Sequence, residues 1–130
     1  MPLTETHRET KYCNAIRGAI TKLGHATNRD LLSVLQNEYP ELSATTVHRA
    51  TARLADRGEI GIAPNNKQGA VRYDALASAH DHFNCTVCDR LCDANIRDKV
   101  LEVIEDTIKD CSISGNIVLT GICKECSLEV

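Results

Sequence analysis

The chain has 130 residues, room for one ordinary domain or two small ones, and only 3% are aromatic with no Trp, so a metal or a partner chain is expected to help hold its core. No apolar run approaches the roughly 20 residues that span a bilayer, and the polar start Met1–Glu9 has no signal-peptide core, so no membrane contact is expected and the cytosol is the expected compartment. The net charge of −3 speaks against a nucleic-acid partner until it is divided: residues 1–75 carry 10 Lys/Arg against 8 Asp/Glu, and residues 76–130 carry 5 against 10.

The first half reads as three helices and a hairpin. Cys13, Ile16, Ile20 and Leu23 recur at helical spacing from about Arg8, and Gly24 ends that helix. Thr27 with Asp30 resembles a capping box, here with Asp as the acid, ahead of the apolar set Leu31, Leu32 and Leu35, and Pro40 is expected to stop the second helix. Ser43 is a good N-cap for a third helix and Gly58 a good stop. Val47, Ala50 and Leu54 share one face of it, and Thr45, His48, Arg49 and Ala52 another. Glu59–Ala63 and Ala70–Tyr73 flank the turn cluster 65–69 as a β-hairpin. That order is the order of a winged helix-turn-helix, which reads DNA with its third helix.

Residues 75–79 make a short hinge between an expected DNA-binding domain at 1–74 and a second module at 80–130. In that module Phe83–Ala94 reads as a strand and knuckle. Ile96, Val100, Val103, Ile104 and Ile108 mark an amphipathic helix, and Ile117–Leu119 a buried strand.

Seven cysteines in a cytosolic chain are read as ligands or thiols and not as disulfides. Cys85, Cys88, Cys123 and Cys126 form two CxxC pairs separated by 34 residues, long enough for a helix and a strand to fold back between them. Four thiolates on two such turns suit one tetrahedral structural Zn2+, with no open position for catalysis. Cys13, Cys92 and Cys111 fall outside the quartet, Cys92 as a small buried residue or a redox-responsive thiol. His80 and His82 point to one side of an extended segment and together suit a divalent transition metal.

The string His80-x-His82-x-x-Cys85-x-x-Cys88, Asp93 five residues on, and Gly121-x-Cys123-x-x-Cys126 resembles the C-terminal half of the ferric uptake regulator superfamily. Leu42-Ser-Ala-Thr-Thr-Val-His48-Arg49 resembles the start of its recognition helix, and Arg72-Tyr73-Asp74 the end of its wing. The likeness covers nearly the whole chain. It implies an α+β protein with an N-terminal winged helix-turn-helix and a small C-terminal α/β dimerisation domain holding the four-cysteine zinc. It also implies a homodimer on a pseudo-palindromic double-stranded DNA operator, read by Thr45, Thr46, His48, Arg49 and Arg53. The regulatory metal, Fe2+ or Mn2+, would be held by His25, Asp74, His80, His82 and Asp93.

Asp in place of Glu at position 93 is similar to the peroxide-responsive branch of the superfamily. A short acid holding iron through one oxygen leaves a position where peroxide is reduced. The resemblance then implies oxidation of His25 or His80, loss of the metal and release of DNA. Such a sensor is consumed and does not turn over, so it is not an enzyme. The alternative within the superfamily is an iron- or zinc-uptake regulator without peroxide sensing. A zinc hydrolase would need a general base that does not stand out here, and a metal-trafficking protein would leave the third helix unexplained.

The sequence departs from the family pattern in several places. His48 stands where the family carries Tyr, which shifts the expected operator preference. Ala79 and Ser114-Gly115-Asn116 stand where iron-uptake regulators carry further histidines, so an extra metal site is not expected although Asp81 is present.

Overall fold

The computed structural model describes residues 3–78 and 80–128. The chain divides into two compact units, Met1–Ala77 and Ser78–Val130. Ala79, the last residue of the expected hinge, lies outside the described residues. No described helix is long and apolar enough to cross a membrane.

The first unit runs α1 (Leu3–Leu23), β1 (His25–Ala26), α2 (Asn28–Leu35), α3 (Ala44–Asp56), β2 (Gly61–Ala63) and β3 (Arg72–Asp74). Helix α1 begins before Arg8 and ends at Gly24, which takes φ +85° and donates its N–H to the Ile20 carbonyl. The capping box of α2 is formed: Asp30 N–H donates to Thr27 Oγ1, and Thr27 N–H to Asp30 Oδ2, each at 3.1 Å. Pro40 is not what ends α2. Its last helical residue is Leu35, and the Leu35 carbonyl already receives the N–H groups of Glu38 and Tyr39 in a closing turn before the proline. Ser43 caps α3 through Thr46 N–H, and Gly58, at φ +70°, follows its end.

Ile16, Ile20, Leu31, Val47 and Leu54 form the centre of an apolar core, completed by Tyr12, Leu35, Leu42, Ile60 and Tyr73. They fall on the inward faces that helical spacing defines, so burying those stripes is what packs the three helices together. The hairpin is shorter than its sequence pattern and gains a third strand. β1 pairs with β3, giving the order β1-β3-β2, and its register sets His25 opposite Asp74.

The second unit contains β4 (His82–Cys85), β5 (Leu91–Asp93), α4 (Arg97–Ile108), β6 (Val118–Gly121) and α5 (Lys124–Leu128). β5 is antiparallel to β4, and β6 runs parallel to β4 on its other side. A parallel neighbour needs a long crossover, which β5 and α4 supply. The stretch Ile117–Leu119 is not a buried strand in the single chain. Val118 and Leu119 are 44% and 45% exposed on the edge strand β6, and no residue of α4 is fully buried. Their apolar character marks a face, and no described element of the same unit covers it.

Candidate metal centres and nucleic-acid interface

The parallel register of β4 and β6 sets Cys85 opposite Gly121, so both CxxC turns leave the sheet at the same end. Their four sulfurs lie within 4.8 Å of one another, with Cys88 Sγ and Cys123 Sγ 3.9 Å apart. Sulfurs held ~2.3 Å from one zinc in a tetrahedron stand about 3.8 Å apart, so the quartet fits that ion. Backbone N–H groups of Cys123 and Cys88 point at Cys85 Sγ from 3.4 and 3.5 Å. They hold the Cys85 thiol down at about 6, toward the thiolate that a metal binds. The neighbouring Cys123 thiol, together with burial, pushes Cys126 up to about 12. Cys13 lies in the apolar core of the first unit, Cys92 is half-buried on β5, and Cys111 is exposed after α4.

Ligands of a second kind occur in two sets, one in each unit. In the first unit β1 and β3 carry His25 and Asp74 as register partners, with His25 Nε2 3.1 Å from Asp74 Oδ2. The other Asp74 oxygen accepts from Leu76 N–H at 2.9 Å, which fixes the carboxylate. In the second unit β4 and β5 pair His82 with Asp93, and a single oxygen, Asp93 Oδ1, lies 3.4 Å from Nε2 of both His80 and His82. The two imidazole centroids are 4.3 Å apart. His80 Nδ1 is 3.0 Å from the Ser78 carbonyl, and that hydrogen bond leaves Nε2 as the ligand atom. His82 is fully buried, while the Asp93 side chain is 54% exposed. Imidazoles and carboxylates in this mixture suit Fe2+, Mn2+ or Zn2+.

Asp81 lies between these histidines in sequence and is committed elsewhere. Its buried carboxylate accepts from Arg97 Nη2 at 2.9 Å, from Arg97 Nε at 3.3 Å and from Ile117 N–H at 3.1 Å. The guanidinium holds the Asp81 carboxyl below the usual carboxylate range. Arg97 also donates to the Gly115 carbonyl at 2.6 Å, and Asn116 Oδ1 accepts from His80 N–H at 3.0 Å. The 114–116 stretch is therefore tied down by hydrogen bonds.

On α3, Thr45, His48, Arg49 and Ala52 are all exposed, opposite the buried Val47, Ala50, Thr51 and Leu54. Thr46 and Arg53 lie on the flanks. Thr46 is occupied with the Ser43 cap, and Arg53 lines a small groove with Arg17, Arg57 and Glu59. Three contacts had no sequence signal: the two-residue strand β1, the Asp81–Arg97 pair, and a bridge from Thr51 through Asn28 to His48. Each joins residues distant in sequence or too few to show a period.

Solved structures resemble this fold. The Campylobacter jejuni peroxide stress regulator is 22% identical, with a TM-score of 0.74 over 97% of this chain and 100% of that one. The Helicobacter pylori ferric uptake regulator Fur, described as having three functional metal binding sites, is 20% identical, with a TM-score of 0.73 over 90% of this chain and 80% of that one. FurB of M. tuberculosis, a zinc uptake regulator, is 20% identical, with a TM-score of 0.51 over 92% and 95%. These likenesses span a peroxide stress regulator, a ferric uptake regulator and a zinc uptake regulator, and speak to the fold alone. The sequence itself matches the Ferric uptake regulator family over residues 6–114. With a helical DNA-binding unit and wing, a four-cysteine cluster and His/Asp ligands in place, the chain belongs to the ferric uptake regulator family of metal-dependent transcription regulators.

Proposed function

We propose that this regulator is a DNA-binding repressor that senses peroxide through a ferrous site, with manganese as an alternative corepressor. The observation that carries the peroxide reading is Asp93. It offers one oxygen to both His80 and His82, and more than half of its side chain meets solvent. An acid that would hold a metal through one oxygen would leave room beside it for a small oxidant.

The first unit offers one imidazole and one carboxylate and the second two imidazoles and one carboxylate, and the five together would give a fuller donor set than either alone. A single ion bound by His25, Asp74, His80, His82 and Asp93 would have the mixed nitrogen and oxygen set that Fe2+ or Mn2+ accepts. Such sharing restricts the hinge at 75–79 and selects one arrangement of the DNA-reading helices. Ferrous iron, when bound, supplies the electron that reduces peroxide. His25 and His80 are the side chains that would take up one oxygen atom from peroxide, the other leaving as water, and either change would leave the site one ligand short.

Zinc at Cys85, Cys88, Cys123 and Cys126 is the structural ion of this reading. The uncovered apolar residues of α4 and β6 are the homodimer face: Val103, Ile108, Val118 and Leu119 are all exposed in the single chain. A dimer carries two copies of α3 and so matches a two-fold operator. Thr45, His48 and Arg49 form its outward face, with Thr46 and Arg53 at the margins.

Mass spectrometry after a low dose of peroxide tests the sensing claim. Iron-loaded protein should gain one oxygen atom on the peptide bearing His25 or His80 and should release DNA, while manganese-loaded protein should not. Asp93→Glu, whose longer side chain reaches the open position, should lose most of that oxidation. Equal oxidation in Asp93→Glu and parent would sever the aspartate from sensing. No histidine oxidation in the iron-loaded parent would return the protein to the metal-uptake regulators of its family.

A further inference from the structure

His48 is held by a two-step relay that fixes which of its nitrogens carries the proton. Thr51 Oγ1, fully buried on α3, lies 2.8 Å from Asn28 Oδ1 and 3.1 Å from the carbonyls of Val47 and His48. In the helix those carbonyls already receive the N–H groups four residues on. Of the three acceptors the Asn28 oxygen is the shortest contact, and we assign the single hydroxyl proton to it. That choice orients the amide: its oxygen faces Thr51, and its Nδ2 faces His48 Nδ1 at 3.3 Å. An amide nitrogen only donates, so His48 Nδ1 must be the bare acceptor. In a neutral imidazole the proton then sits on Nε2.

We infer that His48 is a specificity-determining residue that presents Nε2–H to guanine. The inference rests on α3 being the DNA-reading helix, as proposed above. On the major-groove edge guanine sets two acceptors, N7 and O6, side by side, so one N–H fits either or both. Adenine places its N6 donor beside N7, and cytosine offers the N4 donor, which would meet this donor head-on. Thymine offers one acceptor beside a methyl group. The opposite tautomer would reverse the preference toward bases that donate. Asn28, which sits on α2, is thus a positioning residue: it selects the letter that His48 reads without belonging to α3.

Nitrogen-15 NMR of the full-length, zinc-containing protein reads the tautomer directly, and selection from randomised duplexes with the metal-loaded protein reads its consequence. The parent should show His48 protonated on Nε2 and select guanine at one symmetric position of each half-site. Replacing that guanine by 7-deazaguanine, which lacks N7, or by 2-aminopurine, which lacks O6, should weaken binding about five- to tenfold in at least one case. His48→Phe should lose the guanine at that position, and Asn28→Ala should mix the tautomers and relax the choice toward adenine. A parent His48 protonated on Nδ1, or identical selected sites for parent and His48→Phe, overturns this inference and leaves α3 as the reader. No metal-dependent preference for any duplex in the parent overturns the DNA-reading assignment and this inference with it.

Discussion

The two units bury different kinds of side chain. In the first, Ile16, Ile20, Leu31, Val47 and Leu54 meet at the centre of three capped helices. In the second, the most buried groups are His82, Asp81, Cys85 and Cys126, whereas Val103, Ile108, Val118, Leu119 and Ile122 are exposed. The first unit is held by the removal of apolar surface from water. In the second, polar groups and thiols are the fully buried side chains, and many apolar side chains of α4 and β6 face outward. On the function proposed above, it would depend on an ion for the sulfurs and on another apolar surface for α4 and β6.

The largest expected effect separates the units through zinc. Structural zinc sites contribute apparent free energies of about 10–16 kcal/mol, coupled directly to folding. Cys85→Ser or Cys123→Ser, or a strong chelator, should therefore unfold the second unit and yield monomers. Amide hydrogen exchange should show residues 11–56 still protected while residues 82–121 lose protection. A folded dimer purified without zinc would remove the distinction.

A cut in the apolar core should act on the other side of the comparison. Ile20→Ala leaves a cavity at a fully buried position and should cost about 2–5 kcal/mol. Chemical denaturation would show that loss while zinc content, measured by atomic absorption, stays at the parental value. If zinc is lost in step with the core, the two units do not respond independently.

The smallest of these effects probes the buried polar group of the second unit. Arg97→Ala strips the charged partner from a carboxylate that is 3% exposed and leaves it the Ile117 N–H. Loss of a charge-assisted hydrogen bond to a buried acid should lower the melting of this unit by roughly 10 °C. A Lys at 97 should recover only part of it, since it cannot reproduce the forked contact. An unchanged melting temperature for Arg97→Ala would mean that water satisfies Asp81.

The same division explains what could be read from the sequence. Thr27 with Asp30, and Ser43 with Thr46, are caps whose bonds close within three residues, so the residue types alone foretell them. Both CxxC pairs and the His80-x-His82 spacing were equally local. The partner strand of Asp74 was not, because β1 has only two residues and no alternation to detect. Ile117–Leu119 has the composition of a covered strand, but composition does not say whether the cover comes from the same chain. Pro40 looked like the helix stop, yet the turn closing on the Leu35 carbonyl ends the helix first. The His48 tautomer depends on Asn28, 20 residues away, and no spacing rule links the two.

The parallel pairing of β4 with β6 also imposes a timetable on synthesis. Cys123 follows Cys88 by 35 residues, roughly 2–7 s of elongation at about 5–20 residues per second. All residues of the first unit's core precede this interval in the chain. During it, Cys85 and Cys88 are a half-built site with only two of four sulfurs, and β4 has only its antiparallel neighbour β5 beside it. A chain that ended within α4 would thus carry every element of the first unit but only two of the four sulfurs. Only with β6 and the start of α5 in place are all four sulfurs present to hold one ion.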